Sequence, residues 1–105
     1  MTNSKRKGKR IELELVHKFK SMGIEARRGQ QYSGTETSAD VLTNLKGFHF
    51  ECKGGKQVPI KPYTFMEQAN NDSGNNIPIV CMKRDREDWL ILMKLDDFVT
   101  VIKNG

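Results

Sequence analysis

Four charged residues stand where the apolar pattern of the chain calls for something else. Glu12 falls within the apolar stripe of "KRIELELVHKFKSMG", and Asp40 sits between Ala39 and Val41 in "ADVL". Glu51 and Lys53 share one face of "FHFECK", opposite Phe48, Phe50 and Cys52. A carboxylate among apolar residues is costly unless it is paired or binds a metal. Two or three converging carboxylates can hold Mg²⁺, a hard cation that takes oxygen ligands and keeps several waters. Such an ion acidifies a water and neutralises charge on a phosphoryl oxygen, and a lysine beside it can stabilise a phosphoryl transition state. The Cys52 carbonyl, between Glu51 and Lys53, is placed to be a further ligand.

Each residue alone also has an ordinary explanation. Glu12 can be a helix-edge acid bridged to a basic side chain, and Asp40 a strand-start or turn aspartate, a residue disfavoured within strands. Glu51 and Lys53 can be the wet face of a half-buried strand. It is the set, on separate elements that can converge, that points to metal-assisted chemistry. Glu14 is a rival to Glu12, but at helical spacing Glu12 lies about 45° from the centre of the apolar face, whereas Glu14 falls on its flank.

The elements that must position these residues follow from periodicity. Ile11, Leu15, Val16, Phe19 and Met22 recur at helical spacing, and Gly23 is a stop signal. Ile24 to Arg28 reads as a strand, Gly29 to Ser38 as a polar loop, "ADVL" as a short strand and "TNLKG" as a turn. "FHFECK" is a strand leading into a glycine turn at Gly54-Gly55. A second helix starts near Pro62, with Phe65, Met66 and Ala69 facing the core. "IPIVCM" is a buried strand by its continuous apolar run, "KRDRED" a charged turn, and "WLILM" another strand. "LDDFVTVI" closes the chain as a short helix with an Asp near its cap, or as a strand at "VTVI". The order predicts an α/β domain, a mixed central sheet flanked by helices.

The 105 residues suit one domain, taken as residues 1–105 with a basic arm at about 1–10. Lys and Arg number 18 against 13 Asp and Glu, and Lys5, Arg6, Lys7, Lys9 and Arg10 concentrate the excess. Such an arm meets phosphate backbones by displacing counterions; a solubilising, frayed terminus accounts for it equally well. Cys52 and Cys81 lie far apart in apolar runs without a CxxC pattern, which argues for buried reduced thiols and against zinc or a disulfide framework. No apolar run suits a signal peptide or a membrane span. A soluble cytoplasmic protein is expected, in the host cytoplasm if phage-encoded.

With an early helical Glu12, Asp40 on one strand and Glu51-Cys52-Lys53 on the next, the chain resembles the PD-(D/E)xK nucleases. It is most similar to their Holliday-junction-resolvase-like branch, through "KGKRIELELV" and the Gln68 of "FMEQA". Ala39 departs from the pattern, standing where the family has a proline before the aspartate. The resemblance covers roughly Lys7 to Phe98 and implies a restriction-endonuclease-like core. It implies Asp40 and Glu51 as ligands of Mg²⁺, with Mn²⁺ as a substitute, and Glu12 completing or supporting the shell. Lys53 would assist the attacking water or the phosphate, and Gln68 would orient the water or a catalytic side chain. The loop from Gln30 to Ser38 is similar to a substrate-contacting loop, placing Gln30, Gln31, Tyr32 and Ser33 near DNA; a plain surface loop is the other reading. Lys56, just after the glycines, joins the candidate DNA contacts. His49 shares the Glu51 face but reads as a solvent or packing residue.

The implied activity is metal-dependent endonuclease cleavage of branched DNA, foremost a four-way junction, by a homodimer. A nicking or flap nuclease of replication and repair is the alternative within the same superfamily. A DNA-binding module without catalysis would need only the basic residues, and acids that repel phosphate argue against it. A small structural subunit would use the arm for solubility alone.

Overall fold

The computed structural model describes residues 4–29, 39–55 and 61–105, with side chains described from residue 8 onward in the first of these segments. Gln30, Gln31, Tyr32, Ser33 and Lys56 lie outside the described residues, as do the side chains of Lys5, Arg6 and Lys7.

The chain begins with helix α1 (Ser4–Ser21), which buries Ile11, Leu15 and Val16. The basic segment expected as an arm is helical from Ser4, so Lys9 and Arg10 belong to the first turns of α1. The apolar stripe that begins at Ile11 therefore extends an existing helix instead of starting one. Gly23, at φ +82°, closes α1: its N–H donates to the Lys20 carbonyl and the Ile24 N–H to that of Phe19. This is the paired C-terminal capping that a left-handed glycine permits. Met22, expected on the apolar face, lies beyond the last helical turn and is 62% exposed.

Among the described residues five strands form one sheet in the order β1-β2-β3-β4-β5: β1 (Ala26–Arg28), β2 (Val41–Thr43), β3 (Phe48–Gly55), β4 (Ile77–Arg84) and β5 (Leu90–Leu92). Only the β3–β4 pair is parallel. Helix α2 (Pro62–Asp72) lies between those two strands in the chain, the crossover that a parallel pair requires. The first strand is shorter than expected, with Ile24 and Glu25 outside it. Asp40 sits in the bend immediately before β2, not within a strand.

Strand alternation sorts side chains onto two faces. On one, Phe50, Ile79 and Cys81 pack with Val41 and with Leu15 and Val16 of α1. The Phe19 ring meets that of Phe50 edge-on at 5.1 Å. On the other, Glu51 and Lys53 look toward the side of α2, whose Ala69 is fully buried while Phe65 and Met66 are half-buried. The sheet is therefore mixed and covered by a helix on each face.

Two glycines read as a turn are strand instead. Gly54 and Gly55 continue β3 and pair with Lys83 and Arg84 of β4. A Cβ on Gly54 would lie 2.7 Å from Ile11 Cγ2 and 2.9 Å from the Lys83 carbonyl oxygen. The glycine there serves close approach of α1 to the sheet, a packing requirement that resembles a turn signal in sequence. Helix α3 (Leu95–Asn104) closes the described chain, which resolves "VTVI" as helix. Asp96 and Asp97 lie in its first turn, favourable near the positive end of the helix dipole, while its N-cap is Lys94 and makes no side-chain cap.

Candidate active site

The site forms where β2 ends beside the longer β3. Val41 pairs with Phe50, and the Asp40 N–H donates to the Phe50 carbonyl at 3.1 Å. Beyond that point β3 runs on without β2. The Cys52 N–H, which would otherwise continue the ladder, donates to Asp40 Oδ2 at 2.8 Å. Within a strand a residue's N–H and C=O point to the same side, so the Cys52 carbonyl is turned toward Asp40 too. The bend holding Asp40 is further fixed by the Gly29 N–H, which donates to the Asp40 carbonyl at 2.9 Å. Any Cβ on Gly29 would collide with the Ala39 carbonyl, so only glycine lets β1 pass this bend.

Glu51 is 3% exposed. The face read as wet or catalytic is therefore buried at this position, where α2 covers the sheet. Its partner is His49, 4% exposed, whose Nε2 lies 2.7 Å from Glu51 Oε1. An ionised carboxylate only accepts, so in the ionised pair the ring proton is on Nε2. His49, expected in solvent or in packing and kept apart from the catalytic set, is thus the residue that holds Glu51. The available signal was the i, i+2 spacing, which puts both on one face; what alternation does not reveal is which face a helix will cover.

Asp40 and Glu51 interact directly. The Asp40 carboxyl is raised from 3.8 to about 7, first by burial and then by the Glu51 charge and a hydrogen bond between the two side chains, against the Cys52 N–H, which lowers it. Glu12 adds a smaller repulsion. The two acids resist carrying two negative charges, because like charges sharing one site raise the pKa of one of them.

Lys53 leaves the same face as Glu51. Its Nζ donates to Gln68 Oε1 of α2 at 2.9 Å and stands 5.4 Å from the centroid of the Phe65 ring. Gln68 thus orients the lysine ammonium. Glu12 accepts from Arg28 Nε at 2.9 Å, with side-chain exposures of 16% for Glu12 and 37% for Arg28. Glu14 instead pairs with Arg10 at 3.3 Å near the surface, its side chain 38% exposed. Arg28 was legible only as a strand end, and nothing in the sequence singled it out as the counter-charge of Glu12.

Among the described residues no group of three or more His, Cys, Asp or Glu side chains is gathered as a metal shell. The donor set nonetheless suits a hard divalent cation. Asp40 and Glu51 supply carboxylate oxygens, the Cys52 carbonyl is a third candidate, and Mg²⁺ keeps waters in its remaining positions. A cation between the acids would also relieve the repulsion that raises Asp40. Cys81 is buried, its thiol pushed up to about 12 by burial. Cys52 is raised well above the ordinary thiol range, first by burial and then by Asp40. Both are free thiols, and neither suits a thiolate ligand.

A mixed sheet flanked by helices, with an aspartate before one strand and Glu-x-Lys on its neighbour, defines a PD-(D/E)xK nuclease core. Residues 3–104 match the family model described as phage putative PDDEXK endonuclease, and the chain belongs to that family. The fold is similar to that of Hjc, a Holliday junction resolvase from the archaeal hyperthermophile Archaeoglobus fulgidus. The TM-score is 0.57 at 18% sequence identity, over 80% of this chain and 73% of that one. No curated protein matches the sequence. Among the described residues no helix is long and apolar enough to cross a membrane.

Proposed function

We propose that this nuclease is a Mg²⁺-dependent endonuclease of branched DNA, with a four-way junction as its foremost substrate. The observation that carries the reading is the convergence of Asp40, Glu51 and Lys53 at the edge of β3 left open where β2 stops. The likeness of fold to a junction resolvase supports the choice of substrate.

Asp40 and Glu51 would hold the ion, with the Cys52 carbonyl as a further oxygen. When bound, Mg²⁺ supplies acidification of a water and neutralisation of phosphoryl charge. Lys53 places a positive charge where the phosphate gains negative charge, and Gln68 holds that ammonium in position. His49 fixes the Glu51 carboxylate, and Arg28 with Glu12 closes the side of the site toward α1. Lys9 and Arg10, on the first turns of α1, would meet the phosphate backbone, joined by Lys5, Arg6 and Lys7. Gln30, Gln31, Tyr32, Ser33 and Lys56 are proposed as further DNA contacts. Symmetric cutting of a junction needs two such sites, so the active form is read as a homodimer. Mn²⁺ would substitute for Mg²⁺, and the setting would be cytoplasmic DNA recombination or repair.

The test is cleavage of a labelled four-way junction, a flap and a linear duplex, with Mg²⁺ and with EDTA. The expected result is Mg²⁺-dependent cutting of the junction that Glu51→Ala and Asp40→Asn abolish while binding persists. Preferential cutting of the flap would move the substrate to replication and repair intermediates. Binding without cutting by the folded wild type would make the chain a DNA-binding module.

A further inference from the structure

Helix α2 packs on β4 and β3, and on that side of the sheet Leu42 of β2 is left 36% exposed. Val41 joins the core on the α1 side, so alternation puts Leu42 on the α2 side together with His49. Between the end of α2 and the β2–β3 turn lies a cavity of about 340 Å³, bordered among others by Leu42, Lys46, His49, Ser73 and Asn76. None of Asp40, Glu51, Lys53 and Gln68 lines it. His49 borders both sites: its Nε2 meets Glu51 at 2.7 Å, and the same residue lines the cavity. The walls are tied together. The Ile77 N–H donates to the Gly47 carbonyl at 2.7 Å, joining β4 to the β2–β3 turn, and Ser73 Oγ donates to the Asn70 carbonyl at 3.0 Å.

We propose that this cavity binds one unpaired nucleotide, with the base inside and its phosphate at the rim. The choice of a nucleotide rests on the nuclease reading above; the call for a partly apolar ligand carrying negative charge rests on the cavity itself. Ligand pockets start at about 300 Å³, so there is room for one base and its sugar but not for a base pair. Leu42 offers an apolar surface to a ring face. The Asn76 carboxamide presents donors and an acceptor to a base edge, and Ser73 Oγ, which already donates to Asn70, keeps lone pairs that accept. The rim is cationic. Lys46 is exposed, and Arg27 stands opposite Leu42 in the β1–β2 register, hence on the same face. Among the described residues neither forms an ion pair, and no Asp or Glu lines the cavity. Such a rim attracts phosphate. Because His49 stands between the cavity and Glu51, a strand whose phosphate lies at the acids can seat a nearby unpaired nucleotide here. A branch point supplies one; a perfect duplex does not.

The test is calorimetry on the full chain in EDTA, so that no cation at the acids takes part. The probes are thymidine and deoxyadenosine 5′-monophosphates, thymidine, and inorganic phosphate. The expected result is saturable binding of a monophosphate with Kd below about 1 mM, and binding of thymidine or phosphate alone weaker by about 10-fold or more. Lys46→Glu should weaken the monophosphate about 10-fold, and Leu42→Trp, which fills the cavity, should abolish its binding; both should keep the wild-type far-UV spectrum. In a second measurement, a junction with one unpaired 2-aminopurine at its branch point should change in fluorescence on binding, and Leu42→Trp should remove the change. Fluorescence change without binding of free monophosphates makes the DNA strand the source of the nucleotide, and the opposite pattern makes it the free monophosphate. No response from either probe, a response that both variants leave unchanged, or phosphate bound as tightly as the nucleotide overturns the proposal. Nucleotide binding with no Mg²⁺-dependent cleavage of any DNA upholds the cavity and fails the nuclease reading. Cleavage by a chain that binds no nucleotide here does the reverse.

Discussion

The edge of β3 near Asp40 and the end of the chain around α3 break the ordinary rule of burial in opposite directions. At the first, an acid and a histidine are almost completely buried and a second acid lies against them. At the second, four large apolar side chains of α3 face outward in one stripe, Leu95, Phe98, Val99 and Ile102. Each departure costs stability if nothing answers it. Buried charge must be paired or neutralised, and a contiguous apolar patch of several hundred Å² marks an interaction surface. The two departures ask for different partners, a cation and phosphate at one end and apolar protein surface at the other. Local rules of folding tend to fail where function resides.

If this contrast is right, changes at the acidic site should alter chemistry, and changes on the exposed stripe of α3 should leave it unaltered. The largest effect is expected for Asp40→Asn or Glu51→Ala, with single-turnover cleavage falling on the order of 10³-fold and light scattering unchanged. Lys53→Ala should lower cleavage about 10²-fold through lost stabilisation of phosphoryl charge; a fall in DNA affinity alone would reassign it to binding. His49→Gln should weaken divalent-ion affinity by about 10-fold or more, the usual cost of removing a residue that orients a ligand, read by titration calorimetry. No change there would reduce the buried pair to a structural role.

The smallest effect is on stability and separates the regions by pH. The folded-state pKa of Asp40 is raised to about 7 from 3.8, so the folded protein holds that proton more tightly than the unfolded chain. The resulting stabilisation is fully present below the unfolded value and is lost as pH rises through about 7. Metal-free Asp40→Asn should therefore melt a few degrees above wild type at pH 8 and lose that advantage toward pH 4. Added Mg²⁺ should narrow the gap at pH 8 by stabilising only the wild type. Phe98→Glu/Ile102→Glu should show no such pH signature.

Much of the scaffold was legible because strong periods met their expected partners. The stripe of Ile11, Leu15 and Val16, the alternation of β3, Pro62 at the start of α2 and the continuous run of β4 all appear where the pattern puts them. Gly54-Gly55 did not follow its local signal, because pairing with β4 outweighs a glycine pair's preference for a turn and the packing of Ile11 explains one of the two. The helical start at Ser4 was hidden by a run of basic residues with no apolar period to reveal it. Glu12, Asp40, Glu51 and Lys53 were recognisable as misplaced charges. Their partners were less so: Arg28 and His49 become meaningful only once the sheet order brings β1 and α2 against the site. Likewise "WLILM" reads as a strand, but only the sheet order makes β5 an edge, where Leu90 and Ile91 are exposed while Trp89 and Met93 reach the core.

The central claim is that Asp40 and Glu51 form one cation-dependent cleavage centre. Its most direct test is single-turnover cleavage of a labelled four-way junction by wild type, Asp40→Asn and Glu51→Ala across a Mg²⁺ titration, with ion binding followed in parallel by calorimetry. The expected result is saturable, Mg²⁺-dependent cutting by wild type alone, with ion binding weakened in both variants. Cutting that persists in EDTA, or in either variant at wild-type rate, would contradict it.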